Sequence, residues 1–141
     1  MKSRRIVSLL AVAALATTVF VGCGSKEEAK EAGLKDGTYT AQGQPDDKGN
    51  TASIEIEVKD GKIATVKYDE VSSEGVSKLD NEEYNTKMKS VSGTNPIEAF
   101  PALEKSLVEK QDVASVDTVT GATHTSENFK TLAEEALKSA K

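Results

Sequence analysis

Ile54, Ile56 and Val58 alternate with Ser53, Glu55 and Glu57, and after Asp60-Gly61 the alternation resumes through Ala64, Val66 and Tyr68. A period of two marks a strand with one buried face. Asp-Gly is a favoured two-residue hairpin turn because both central positions want positive φ. Residues 51–70 are therefore expected to form a β-hairpin, and the rest of the domain must cover its inner face.

Gly37-Thr38-Tyr39-Thr40-Ala41 reads as a first strand, and Pro45 to Asn50 is dense in turn formers. The adjacent Asp46 and Asp47 lack the alternating ligands and terminal Glu of a calcium loop, so they read as a solvated turn. After a polar loop from Ser72 to Leu79, Asp80 or Asn81 caps a helix that carries Tyr84, Met88 and Val91 on one stripe and stops at Gly93. A second helix runs from Asn95-Pro96 toward Lys110 with Ile97, Phe100, Leu103 and Leu107 inward. Pro101 either kinks it or marks its true first turn. Val113 to Val119 reads as a short strand. In the last helix Phe129, Leu132, Ala133, Ala136, Leu137 and Ala140 trace one apolar stripe, with Thr125 or Ser126 as cap and Glu127 in the first turn. The stripes and the hairpin face make one core, giving an α+β domain in which helices pack on a small antiparallel sheet.

The N-terminus has a different character. Lys2, Arg4 and Arg5 precede an apolar run from Ile6 to Val21, and Gly22 sets a small residue before Cys23. This order is that of a secretory signal. The run is about 16 residues, short of the roughly 20 a transmembrane helix needs. Cys23 is the only cysteine of the chain, so no intramolecular disulfide forms. Phe20-Val21-Gly22-Cys23 resembles the bacterial lipobox, with Phe20 in place of the usual Leu. The resemblance implies lipidation of Cys23 and removal of residues 1–22. Two acyl chains, of the palmitate class, anchor firmly because each buried methylene adds about 0.8 kcal/mol. Residues 23–35 then form the lipidated terminus and a polar tether, and residues 36–141 the domain. Cleavage removes three of the 18 basic residues and none of the 23 acidic ones, leaving a mature chain of net charge minus 8. Nucleic acid is excluded as partner on this balance, since phosphate contacts need clustered Lys and Arg.

The segment that carries chemistry is Asp117-Thr118-Val119-Thr120-Gly121-Ala122-Thr123-His124-Thr125-Ser126, between the expected last strand and last helix. It resembles the attachment motif of the FMN-binding domain found in flavin-carrying subunits of bacterial membrane redox complexes and in surface lipoproteins. Asp117, Thr120, Gly121, Ala122 and Thr123 match that motif, and the resemblance makes Thr123 the flavin acceptor. In that family a separate magnesium-dependent flavin transferase splits FAD and joins FMN through its phosphate to the Thr hydroxyl. Gly121 and Ala122 remove side-chain bulk beside Thr123, and a helix starting near Thr125 turns unpaired N–H groups toward the phosphate. Asp117 is expected to orient the loop or assist the transferase, because a carboxylate against a phosphate is repulsive. His124 replaces the Ser or Ala usual at its position; it is either a donor to the phosphate or incidental. Tyr84 or Tyr39 is a candidate cover for one face of the isoalloxazine. The likeness extends over roughly Asp36 to Lys141 in order and spacing.

The resemblance implies a covalent flavoprotein anchored through Cys23 at the outer face of the bacterial cytoplasmic membrane, serving electron transport. It would take electrons from a membrane-bound, quinone-linked donor and pass them to an external acceptor. One His and one Cys supply neither a metal cluster nor a Ser/His/Asp set, so a carrier is expected, with no catalytic residues of its own. The alternatives are a lipoprotein module that binds a small molecule or protein without covalent cofactor, and a surface interaction protein. The anchor is tested directly: Cys23→Ser should leave a folded domain but shift it, on fractionation, from the membrane to the medium or to an uncleaved precursor.

Overall fold

A computed structural model describes residues 33–141; the expected signal peptide, Cys23 and most of the tether lie outside the described residues. Strands β1 (Gly37–Gln42), β2 (Thr51–Lys59) and β3 (Lys62–Val71) form an antiparallel sheet in that order. Helices α1 (Glu82–Ser92), α2 (Pro96–Lys110) and α3 (Thr123–Leu137) follow, with short 3-10 turns at Val113–Ser115 and Lys138–Ala140. The hairpin turn is as expected, with Asp60 at φ 52 and Gly61 at φ 76.

The sheet is apolar on one face only. Ile54, Ile56 and Val58 of β2 meet Val66 and Tyr68 of β3 beneath α2 and α3, in one core with Phe100, Leu103, Leu107, Phe129 and Leu132. The other face carries Thr40, Glu55 and Lys67 opposite one another, the last two an exposed ion pair at 3.6 Å. One wet face is normal for an antiparallel sheet.

β3 departs from simple alternation. Glu57 pairs with Thr65 and Val58 with Ile63, which leaves Ala64 as the extra residue of a bulge. The bulge reverses the phase, so Ile63 is buried while Ala64, expected inward, is exposed. Side chains close the free edge of β3: Gln111 exchanges two hydrogen bonds of 2.8 Å with the Ile63 backbone, and Glu104 accepts from Tyr68 N at 2.7 Å. At the other end Leu34 N donates to Gly61 O and Lys35 N to Ala140 O, so the last residues assigned to the tether are bound to the domain.

The helices correct several expectations. α2 begins at Asn95-Pro96, with Asn95 accepting from Glu98 N, so Pro101 does not mark its first turn. Pro96, Ala99, Phe100, Leu103 and Leu107 form its buried stripe. Ile97 lies about 100° around the helix from Pro96 and is half exposed. The residues Val113 to Val119 pair with no strand. Val113 and Val116 are buried three residues apart, and Val116 N donates to Val113 O, which is the period of a 3-10 turn. All six residues expected on the stripe of the last helix are buried. Phe129 is fully enclosed beside Tyr68, so Phe129→Ala should cost about 3–5 kcal/mol, read as a lower urea midpoint at unchanged slope.

Candidate functional site

The loop before α3 is built by two residues. Val119 to Ala122 is a turn closed by Ala122 N to Val119 O at 2.9 Å, with Gly121 third at φ 85, the position that type II turns reserve for glycine. A Cβ on Gly121 would lie 2.3 Å from Ser92 O and 3.2 Å from Thr94 Cγ2. The backbone of this loop therefore rests directly on the end of α1. Ser126, buried in the first turns of α3, holds the loop from below: its Oγ accepts from Val119 N at 3.0 Å and donates to Ala122 O at 2.8 Å.

Ser126 is thus a loop staple and not a cap. α3 starts at Thr123, two residues earlier than expected, with Ala122 in the capping position and no side-chain cap. Glu127 accordingly lies beyond the first turn, which contains no acidic residue. Ser126 N reaches Ala122 O, whereas the N–H groups of Thr123, His124 and Thr125 find no backbone acceptor among the described residues. Three donors and the positive end of the helix dipole are left for an anion. The Thr123 side chain is exposed there, its hydroxyl unengaged among the described residues.

These groups open onto a cleft of about 300 Å³ lined by Gly121 to Thr125, Tyr84 and Met88 of α1, the Asp46-Asp47-Lys48 turn, Glu70 and Lys78. A smaller hollow of about 40 Å³ continues inward between Lys78, Tyr84, Met88, Pro96, Phe100 and Ala122. The stripe of Tyr84, Met88 and Val91 does not face the core as expected. Tyr84 and Met88 face the cleft, Val91 is 75% exposed, and the only buried residue of α1 is Asn85. Asn85 anchors the helix by donating to Lys78 O and Asn81 O at 2.7 and 2.8 Å. Asn81 is the N-cap, and Gly93 ends the helix at φ 81.

Among the residues singled out from sequence, Gly121, Ala122, Thr123 and His124 line the cleft. Thr120 and Asp117 are outside it. Asp117 is exposed and binds Lys110 Nζ at 2.5 Å; that hydrogen bond holds its carboxyl below the usual carboxylate range, and the same ammonium reaches Ser115 O. Tyr39 lies elsewhere, its hydroxyl donating to Lys35 O.

Two residues not singled out form the floor. Glu70 is buried, accepts from Tyr68 OH at 2.8 Å and pairs with Lys78, whose ammonium stands 5.3 Å from the centre of the Tyr84 ring. Burial opposes the charge on Lys78, but the hydrogen bond and charge of Glu70 outweigh it and raise its pKa. Burial and then Glu70 push the Tyr68 hydroxyl far up, so it stays protonated. Glu70 had a signal in the sequence, since it continues the inward parity of Val66 and Tyr68. Lys78, in a polar loop without periodicity, had none. The adjacent turn is set by Asp46, which accepts from Lys48 N and Asn50 N at 2.8 Å. Burial works against its ionised form, but the Asn50 side chain and these backbone groups lower its pKa to about 2.

Gly121→Ala combines positive φ with a backbone clash, so it should cost about 1–3 kcal/mol and loosen the loop. Thermal unfolding together with faster amide exchange at Val119 to Thr125 measures both.

Comparison with known proteins gives these features a family. The model of the FMN-binding domain matches residues 47–138. The 15 kDa lipoprotein of Treponema pallidum (strain Nichols) is 37% identical over 109 residues, covering 77% of each chain. The crystal structure of the CPE2226 protein from Clostridium perfringens superposes with a TM-score of 0.73 at 47% identity, over 76% of this chain and 88% of that one. An exposed threonine at a helix start with unpaired N–H groups among the described residues, behind a glycine no other residue can replace without strain, is set in a chain that belongs to the FMN-binding domain family.

Proposed function

We propose that this chain is a lipid-anchored flavoprotein whose FMN is joined through its phosphate to Thr123, and that it relays electrons from a quinone-linked membrane donor to an external acceptor. The observation that carries this reading is the Thr123 hydroxyl, exposed at the first position of α3 beside three free N–H groups. The donor set fits the group chemically: a hydroxyl for the ester, amides for the phosphate anion, and Tyr84 and Met88 as apolar walls for a ring system. FMN, once bound, supplies the redox chemistry. The chain's own residues bind and orient. Gly121 and Ser126 fix the loop, the N–H groups of Thr123 to Thr125 neutralise the phosphate, and Thr123 offers its oxygen to a separate flavin transferase. No residue of the cleft needs to act on a further substrate, which suits a carrier.

The anchored, extracytoplasmic location is supported by the order of charge, apolar run and small residue ending at Cys23, and by the lipoprotein name of the Treponema relative. A short tether keeps the domain near a membrane donor, since the stretch 24–33 between Cys23 and the first residue bound to the domain reaches at most about 35 Å at about 3.3–3.6 Å per residue.

Coexpression with a flavin transferase should give the wild-type chain the mass of FMN less one water, mapped to the peptide containing Thr123. Thr123→Ala should lose the flavin entirely while keeping the wild-type melting curve, because the side chain is exposed. Thr120→Ala and Thr125→Ala should stay yellow. A flavin-modified Thr123→Ala protein would show the assignment to be wrong, and a wild type that never takes up flavin would favour a binding module.

A further inference from the structure

The ion pair under the cleft is hard to explain as a stability device. Glu70 and Lys78 have side chains only 5% and 14% exposed. A buried ion pair gains little over an apolar pair of the same volume, since desolvation offsets the attraction. Yet the structure fixes this lysine from three sides. Its N–H donates to Glu70 O at 2.9 Å, its carbonyl accepts from the buried Asn85, and its ammonium is held between Glu70 and the face of Tyr84. Lys78 and Tyr84 also line both the open cleft and the inner hollow, next to Gly121, Ala122 and Thr125. The cation is therefore preorganised at the point where the space beside Thr123 deepens between apolar groups.

Resting on the proposed attachment at Thr123, we infer that Lys78 is the potential-setting residue of this domain: its ammonium, positioned by Glu70, stabilises the negative charge that the isoalloxazine takes on when reduced. The charge balance is simple. Two electrons and one proton convert the neutral ring into a monoanion, and a second proton makes it neutral again. A fixed cation favours the monoanion over the oxidised ring, and it also delays the second protonation. The ring and not the phosphate is the anion concerned, because the phosphate has the N–H groups of α3 while Lys78 lines the open cleft beside its apolar walls, Tyr84 and Met88. Of the remaining charged groups, Asp46 faces Lys78 from the turn before β2, and Asp47, Lys48 and His124 line the same cleft.

The test compares flavin-loaded wild type with Lys78→Gln, Lys78→Arg and the double variant Lys78→Gln/Glu70→Gln, in which two amides replace the ion pair. Each is equilibrated with dithionite against a reference dye and read by its visible spectrum across pH. Above the last protonation of the reduced ring, Lys78→Gln should lower the ratio of reduced to oxidised flavin at fixed potential about tenfold, about 30 mV for a two-electron couple. The pH of that protonation should rise by about one unit, and the difference in potential should vanish below it. Lys78→Arg should restore the wild-type values. If Lys78→Gln fails to fold with Glu70 unpaired, the double variant, which removes one charge of each sign, should shift the ratio in the same direction by less, and an unshifted double variant overturns the inference.

Equal ratios in loaded wild type and variant overturn the inference, and so does a shift of the same size at every pH, which marks a structural effect. A folded Lys78→Gln that no longer accepts flavin also overturns it, placing Lys78 in attachment. A wild type that takes up no flavin overturns the attachment reading itself, and this inference with it.

Discussion

Tyr68 is the residue on which the remaining structure depends. Its ring stands edge-on to Phe100 of α2 at 4.9 Å and to Phe129 of α3 at 5.4 Å, joining the sheet to both packing helices. A ring buried that deeply carries its hydroxyl into the core, and a buried hydroxyl needs a partner. Glu70, two residues along the same strand, accepts its hydrogen bond at 2.8 Å. A buried carboxylate in turn demands a cation, and Lys78 supplies it. One aromatic contact thus obliges a polar chain that leads from the centre of the fold to its surface cleft.

The polar chain organises the part of the protein that the apolar core does not reach. Residues 72–79 fold back on the end of β3 through a Val71 to Ser77 bridge and the Ser77 hydroxyl on Asp69, which delivers Lys78 to Glu70. Lys78 O then takes the Asn85 amide, and α1 is held by this hydrogen-bonded hub where an apolar face would ordinarily serve. The end of α1 provides the Ser92 carbonyl against which Gly121 packs. Cleft and loop are positioned by polar contacts and close backbone approach, and the helices that carry the hydrophobic stripes stand behind them.

That division explains what could be read from the residues alone. Alternation and the Asp-Gly turn announced the hairpin, and the stripe from Phe129 to Ala140 announced α3, because burial leaves a periodic trace. The Ala64 bulge left none, since an extra residue keeps the composition and changes only the phase. Val113 and Val116 carry a period of three, the mark of a 3-10 turn and not of the strand expected there. α1 misled for a deeper reason: Tyr84 and Met88 form a real apolar stripe, but it lines a cleft, and the residue that docks the helix is the polar Asn85. The motif makes the family legible, whereas Ser126, expected as a cap, is bonded to Val119 and Ala122 within a helix that begins before it.

The size of the cleft bears on why a covalent bond would serve here. Sites that hold drug-sized ligands without covalent help enclose about 300–1,000 Å³ and bury most of the ligand. This cleft, at about 300 Å³, is at the bottom of that range and open to solvent. Enlarging it would mean moving α1 away from the Gly121 loop, which would break the contact of Gly121 with Ser92 O that shapes the turn before Thr123. The proposed phosphoester on Thr123 would remove the need for enclosure, because the cofactor would then stay at its site whatever its noncovalent affinity. Under that attachment the walls would be free for other work: Tyr84 and Met88 would leave one side of a flavin exposed for electron exchange, above the buried Glu70 and Lys78 pair. A shallow, partly charged cleft is a poor trap for a free cofactor and would be a good seat for a tethered one.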